Sequence, residues 1–194
     1  MLAGVYKMGS PSKTRKMKKQ TLLDHDHSEM DSLLSDFFPA LEARDIPRCL
    51  ELLDLFWARL AVHIRAEHVH LFPAVLDACH SVQPPARPPT PPAEAQEAIN
   101  ALRHEHDFFM TEIWRTLKLL RALPETASRE ESAEALGAIR QKAEIIAQRL
   151  HAHNEREEGG VYRWAEALLD ERAGAALASK MQVELENMPP RFSH

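Results

Sequence analysis

At 194 residues, with 44% apolar and 27% charged side chains, the chain is long enough to bury one sizeable core and has the composition of a globular protein. Its net charge of −5 argues against specific nucleic-acid binding, and charges break every apolar run before it could span a membrane. Cys49 and Cys79 match no metal or redox spacing, and Met1 to Lys7 carry no apolar signal core, so the expectation is a reduced, cytoplasmic protein.

In chain order, residues 1–19 hold Lys7, Lys13, Arg15, Lys16, Lys18 and Lys19 among small polar residues, which reads as a disordered basic tail. A first helix is expected from Thr21 to about Ala43, with Pro39 marking a kink or an early end. Asp45 and Pro47 open a second helix that carries past Glu67 toward Ala78 and bends at Pro73. Residues 83–92 are so rich in proline that neither helix nor sheet can form, leaving a stiff connector or a ligand for a proline-reading partner. The third helix runs from Ala93 to about Ala122, and the fourth from about Arg129 to Glu158, where Gly159 and Gly160 weaken it. Helix resumes from Val161 to Leu169. An amphipathic piece from Arg172 to Glu186 packs outside, within a C-terminal segment of residues 171–194. No stretch has strand periodicity, so the fold is all-α, with residues 20–170 as its bundle and a short extra C-terminal helix.

The chain repeats itself. A shift of 90 residues lays Phe56 on Ile146, Arg59 on Arg149, Leu60 on Leu150, His63 on His153, Glu67 on Glu157, Leu71 on Val161 and Phe72 on Tyr162. A shift of 79 lays the segment around His27 on that around His106. Two copies of one helical hairpin follow, differing in loop length.

Helical phase then sorts the eleven histidines. Residues two apart point about 200° away from each other, so only one of His25/His27 and one of His104/His106 faces the core. His106 shares its face with Ile99, Leu102, Phe109, Met110, Ile113 and Leu117, whereas His104 has Asn100, Asp107 and Thr111. By the same test His27 and His153 face inward, and His25 and His151 do not. His68 and His70 fall on a rim or outer face. His63 and Glu67, and His153 and Glu157, stand one turn apart, with Cβ atoms about 5–6 Å from each other. A single histidine on an apolar face is usually a hydrogen-bonded core residue. Four at repeat-related positions, each hairpin adding a glutamate, would cost several kcal/mol in desolvation without a bound cation. The reading is a metal site of His27, His63, Glu67, His106, His153 and Glu157 inside a helical bundle.

The order His27, His63-x-x-x-Glu67, His106, His153-x-x-x-Glu157, with Leu71-Phe72-Pro73 after the first pair, resembles the hemerythrin-like (HHE cation-binding) family over roughly residues 20–170. That resemblance implies an up-down-up-down four-helix bundle around two non-haem iron ions, with the four histidines as terminal ligands and Glu67 and Glu157 as bridges. Manganese suits such donors less well, and zinc would bind without redox chemistry. Oxygen-carrying members have a histidine where this chain has Met110, and an aspartate at a longer spacing where it has Glu157. The expectation is therefore reaction with dioxygen, peroxide or nitric oxide, in an oxidative-stress role that includes peroxide decomposition. The alternative is a non-enzymatic iron storage, sensing or regulatory module, with a protein partner on the tail or the proline-rich connector.

Overall fold

The computed structural model describes residues 22–82, 86, 88–123 and 129–192. The basic tail and much of the proline-rich connector lie outside the described residues. All regular structure among the described residues is helical: α1 (Leu22–Glu42), α2 (Ile46–Ala66), a π-turn (Glu67–Leu71), α3 (Phe72–Ser81), α4 (Pro92–Arg121), α5 (Arg129–Gly159), α6 (Val161–Leu168), α7 (Glu171–Glu186) and a 3₁₀ turn at Pro190–Phe192. None of these helices is long and apolar enough to cross a membrane.

Each long helix buries one stripe. On α1 it is Leu23, His27, Met30, Leu34, Phe37 and Leu41, and on α4 it is Ile99, Leu102, His106, Phe109, Ile113, Leu117 and Leu120. Those three- and four-residue steps hold an apolar face toward one axis. α1 packs on α2 and α5, and α4 packs on the same two, so the four close around a common core.

Local chemistry sets the breaks. Pro39 does not end α1, which continues to Glu42. Pro39 and Ser35 are both exposed, so the carbonyl that loses its partner opens to water. Arg44 then takes a left-handed φ of 57°, and the Asp45 carboxylate accepts from Arg48 N at 3.1 Å to cap α2. The expected bend at Pro73 is a π-turn. Pro73 has no N–H to give the carbonyl four residues back, and Phe72 N–H reaches Glu67 O instead. α5 stops at Gly160, where a Cβ would lie 2.8 Å from the Arg156 carbonyl oxygen, so only glycine fits. Asp170 caps α7, which lies across α2 and the π-turn with Met181 and Leu185 buried.

The core has two apolar clusters. One gathers Met30, Phe37, Phe56, Leu60, Phe109, Ile113, Ile146 and Leu150. The other gathers Leu23, Ala66, Leu71, Phe72, Ile99, Leu102, Val161 and Tyr162. His27 follows Leu23 and precedes Met30, and His106 follows Leu102 and precedes Phe109. The polar layer therefore lies between two dry ones. Water is kept away from it on both sides along the bundle axis.

Candidate metal centre

All six side chains singled out by phase are buried: His27, His63, Glu67, His106, His153 and Glu157 are each no more than 3% exposed. His25 and His151 are exposed, with side chains 66% and 73% accessible, and His104 is exposed as well. The inward histidines meet as two pairs through Nε2: His27 with His63 at 3.3 Å and His106 with His153 at 2.9 Å. The two carboxylates lie between the pairs. Glu67 puts Oε1 3.7 Å from His63 Nε2 and Oε2 3.3 Å from His106 Nε2. Glu157 puts Oε2 3.4 Å from His27 Nε2, with Oε1 2.8 Å from His153 Nε2 and 3.3 Å from His106 Nε2. Each carboxylate thus offers one oxygen to each pair. His27, His63 and Glu157 form one group that could hold a metal ion, and His106, His153 and Glu157 form a second.

An outer layer fixes the rings. His63 Nδ1 donates to Asp26 Oδ2 at 2.7 Å, His153 Nδ1 donates to Glu105 Oε2 at 2.8 Å, and His27 Nδ1 donates to Glu158 Oε1 at 3.2 Å. His106 Nδ1 instead pairs with His68 Nε2 at 2.9 Å. Arg59 holds Asp26 at 2.6 Å, and Arg156 holds Glu105 at 2.5 Å. A histidine whose Nδ1 is engaged outward presents Nε2 inward as a donor of electrons, the usual support for a metal ligand. Helical phase does not single out Asp26, Glu105 or Glu158, and it places His68 on a rim or outer face. His68 is only half-buried, yet it orients His106. The repeat carried a signal: Asp26 and Glu105 coincide under the shift of 79, and His68 and Glu158 under the shift of 90.

Four inward nitrogens and four carboxylate oxygens in a dry layer make an electron-rich centre. Without metal, protons must occupy it. Burial opposes charge on His27, but the Glu157 and Glu158 carboxylates outweigh it and push this imidazole up to about 9. Burial and repulsion from Glu157 push Glu67 up to about 8. Glu157 is held well below the usual carboxylate range, because His106, His153 and His27 outweigh its burial. Burial and the neighbouring His106 push His68 down to about 4. Glu67 Oε2 and Glu157 Oε1 are buried without a hydrogen bond. Imidazole nitrogens converge on them, His106 Nε2 at 3.3 Å from both and His153 Nε2 at 2.8 Å from Glu157 Oε1, as ligand atoms converge on a cation. The residues therefore fit a metal pair.

In the sequence Tyr162 is the repeat partner of Phe72. Its hydroxyl enters this layer, 2.8 Å from Glu67 Oε1, 3.2 Å from His27 Nε2 and 3.4 Å from Glu157 Oε2. Phe72 stacks on His106 with 7° between the ring planes. Tyr162 also lines a cavity of about 580 Å³ beside α6 and α7, together with Leu23, Leu71, Leu177 and Met181.

The family model described as Hemerythrin HHE cation binding domain matches residues 19–165. No curated protein and no solved structure matches the chain.

Proposed function

Because this chain belongs to the hemerythrin HHE cation-binding domain family, we propose that it binds two iron ions in one bundle and reacts there with small oxidants. The supporting observation is the division of donors: two histidine pairs, each receiving one oxygen from Glu67 and one from Glu157. In this reading the four histidines would serve as terminal ligands and the two glutamates as bridges. Nitrogen and carboxylate donors suit iron and, less well, manganese.

The bundle is read as up-down-up-down. Contacts from opposite ends of neighbouring helices support this: Arg140 of α5 with Glu42 of α1, and Arg121 of α4 with Asp54 of α2. At the other end His27 of α1 meets Glu158 of α5, and His153 of α5 meets Glu105 of α4. Both helices of each hairpin then deliver ligands to the same level.

Iron held by these residues would supply Lewis acidity and electrons for reaction with dioxygen, peroxide or nitric oxide. The protein's part is to hold the imidazoles by Nδ1, to keep Glu67 and Glu157 ionised in the loaded state, and to exclude bulk water with the flanking apolar clusters. Met110 packs against one of those clusters where a further histidine would complete an oxygen carrier's ligand set. That favours turnover over reversible carriage. Iron-loaded protein should consume hydrogen peroxide, and Glu67→Ala should abolish the consumption. Loaded protein that leaves peroxide untouched would replace this reading with storage or sensing.

A further inference from the structure

We infer that Tyr162 is itself a ligand to the metal on the His27/His63 side, which makes the two metal positions unequal. The inference rests on the dimetal reading above. Its basis is where the phenolic oxygen lies. Of the four carboxylate oxygens, Tyr162 Oη is near Glu67 Oε1 and Glu157 Oε2, the two that face His63 and His27. It is also 3.2 Å from His27 Nε2, the inward nitrogen of that pair. A phenol has one hydrogen and can satisfy one acceptor, here Glu67 Oε1 at 2.8 Å. With both carboxylates ionised in the loaded state, the other neighbours meet its lone pairs. The phenolic oxygen thus stands within 3.4 Å of an imidazole nitrogen and two carboxylate oxygens, all three of them donor atoms of the same group, where a further oxygen donor to one cation would stand.

The chain builds this placement. Gly160 breaks α5 with φ −114° and ψ −95°, and α6 restarts at Val161 with Tyr162 turned inward, 6% exposed. The first hairpin solves the same break with the π-turn before Pro73 and brings in Phe72, which has no donor atom. The outer layer is unequal in the same sense. His27 is backed by the carboxylate of Glu158, and His106 by the imidazole of His68. The first position is thus given nitrogen from His27 and His63 and oxygen from Glu67, Glu157 and Tyr162. The second has His106, His153 and the two bridging oxygens, and it is where an external oxidant would bind. On loading, the phenolic proton leaves to solvent and the oxygen binds as phenolate, a donor that holds iron in other proteins.

The experiment is visible absorption and resonance Raman spectroscopy of the full chain, loaded with ferrous iron under anaerobic conditions and then oxidised, with iron counted by metal analysis. The chain has two tyrosines, Tyr6 and Tyr162, so Tyr162→Phe and Tyr6→Phe are compared. The expected result is a visible charge-transfer band with phenolate ring modes, kept in Tyr6→Phe and lost in Tyr162→Phe while the variant still holds two irons. Iron-loaded wild type without phenolate modes overturns the inference even if Tyr162→Phe fails to fold. A band that survives in Tyr162→Phe also overturns it. Wild-type protein that binds no iron would instead sink the dimetal reading on which the inference rests.

Discussion

In the metal-free protein, raising the pH from 6.5 to 9 should destabilise the fold. The imidazole of His27 goes from its ordinary 6.5 up to about 9 in the folded chain, so the fold binds that proton more tightly than the unfolded chain does. A raised value gives stability that is fully present below pH 6.5 and lost as the pH passes 9. At about 1.4 kcal/mol per unit, His27 alone contributes roughly 3 kcal/mol. For a chain of this size that is a fall of about 6–12 °C in melting temperature. Glu67, raised from 4.5 to about 8, and His153, also raised, act in the same direction. The groups that act oppositely, His63, His68, Glu157, Asp26, Glu105 and Glu112, are lowered and exert their effect below pH 6.5. The window above 6.5 is therefore clean. The assay is circular-dichroism melting of chelator-treated protein at several pH values. Iron loading displaces these protons, so the gain from iron should grow with pH over the same window. A metal-free fold that keeps or gains stability between pH 6.5 and 9 would refute the electron-rich centre described here.

Three further outcomes follow from the same geometry. His106→Ala should lose metal while His104→Ala keeps it, measured by metal analysis, since only His106 is buried in the layer. Glu105→Gln should weaken iron affinity by about 10–100-fold without unfolding the chain, because it supports His153 from outside, and competition with a chelator reads this directly. Gly160→Ala should lower the melting temperature and release metal, because its Cβ would press on the Arg156 carbonyl at 2.8 Å and disturb the segment carrying Glu157 and Tyr162.

The inward placement of the six buried side chains was legible because a helix face is periodic and the repeat supplied two independent readings of it. Helix limits were legible too: Asp45, Pro73 and Gly160 act through their own backbone chemistry, which needs no tertiary information. The outer layer was not. Asp26 sits one residue before His27, about 100° around the helix, and phase alone gives it neither the core nor the surface. Whether it meets His63 and Arg59 depends on how closely α2 approaches α1. Tyr162 was hidden for a related reason. It follows a glycine break whose backbone angles no periodicity reports, and only those angles turn its hydroxyl onto Glu67. α1 runs through Pro39 to Glu42, close to the expected Ala43, because the exposed position of Pro39 leaves the lost hydrogen bond to water.

His27, His63, Glu67, His106, His153 and Glu157 should share a pair of metal ions. Anaerobic titration of metal-free protein with ferrous iron at neutral pH, with a parallel count of bound iron, tests it most directly. Binding should saturate at two equivalents per chain and fall away in Glu157→Ala, the residue common to both groups. Saturation at one equivalent, or two-equivalent binding that survives Glu157→Ala, would contradict it.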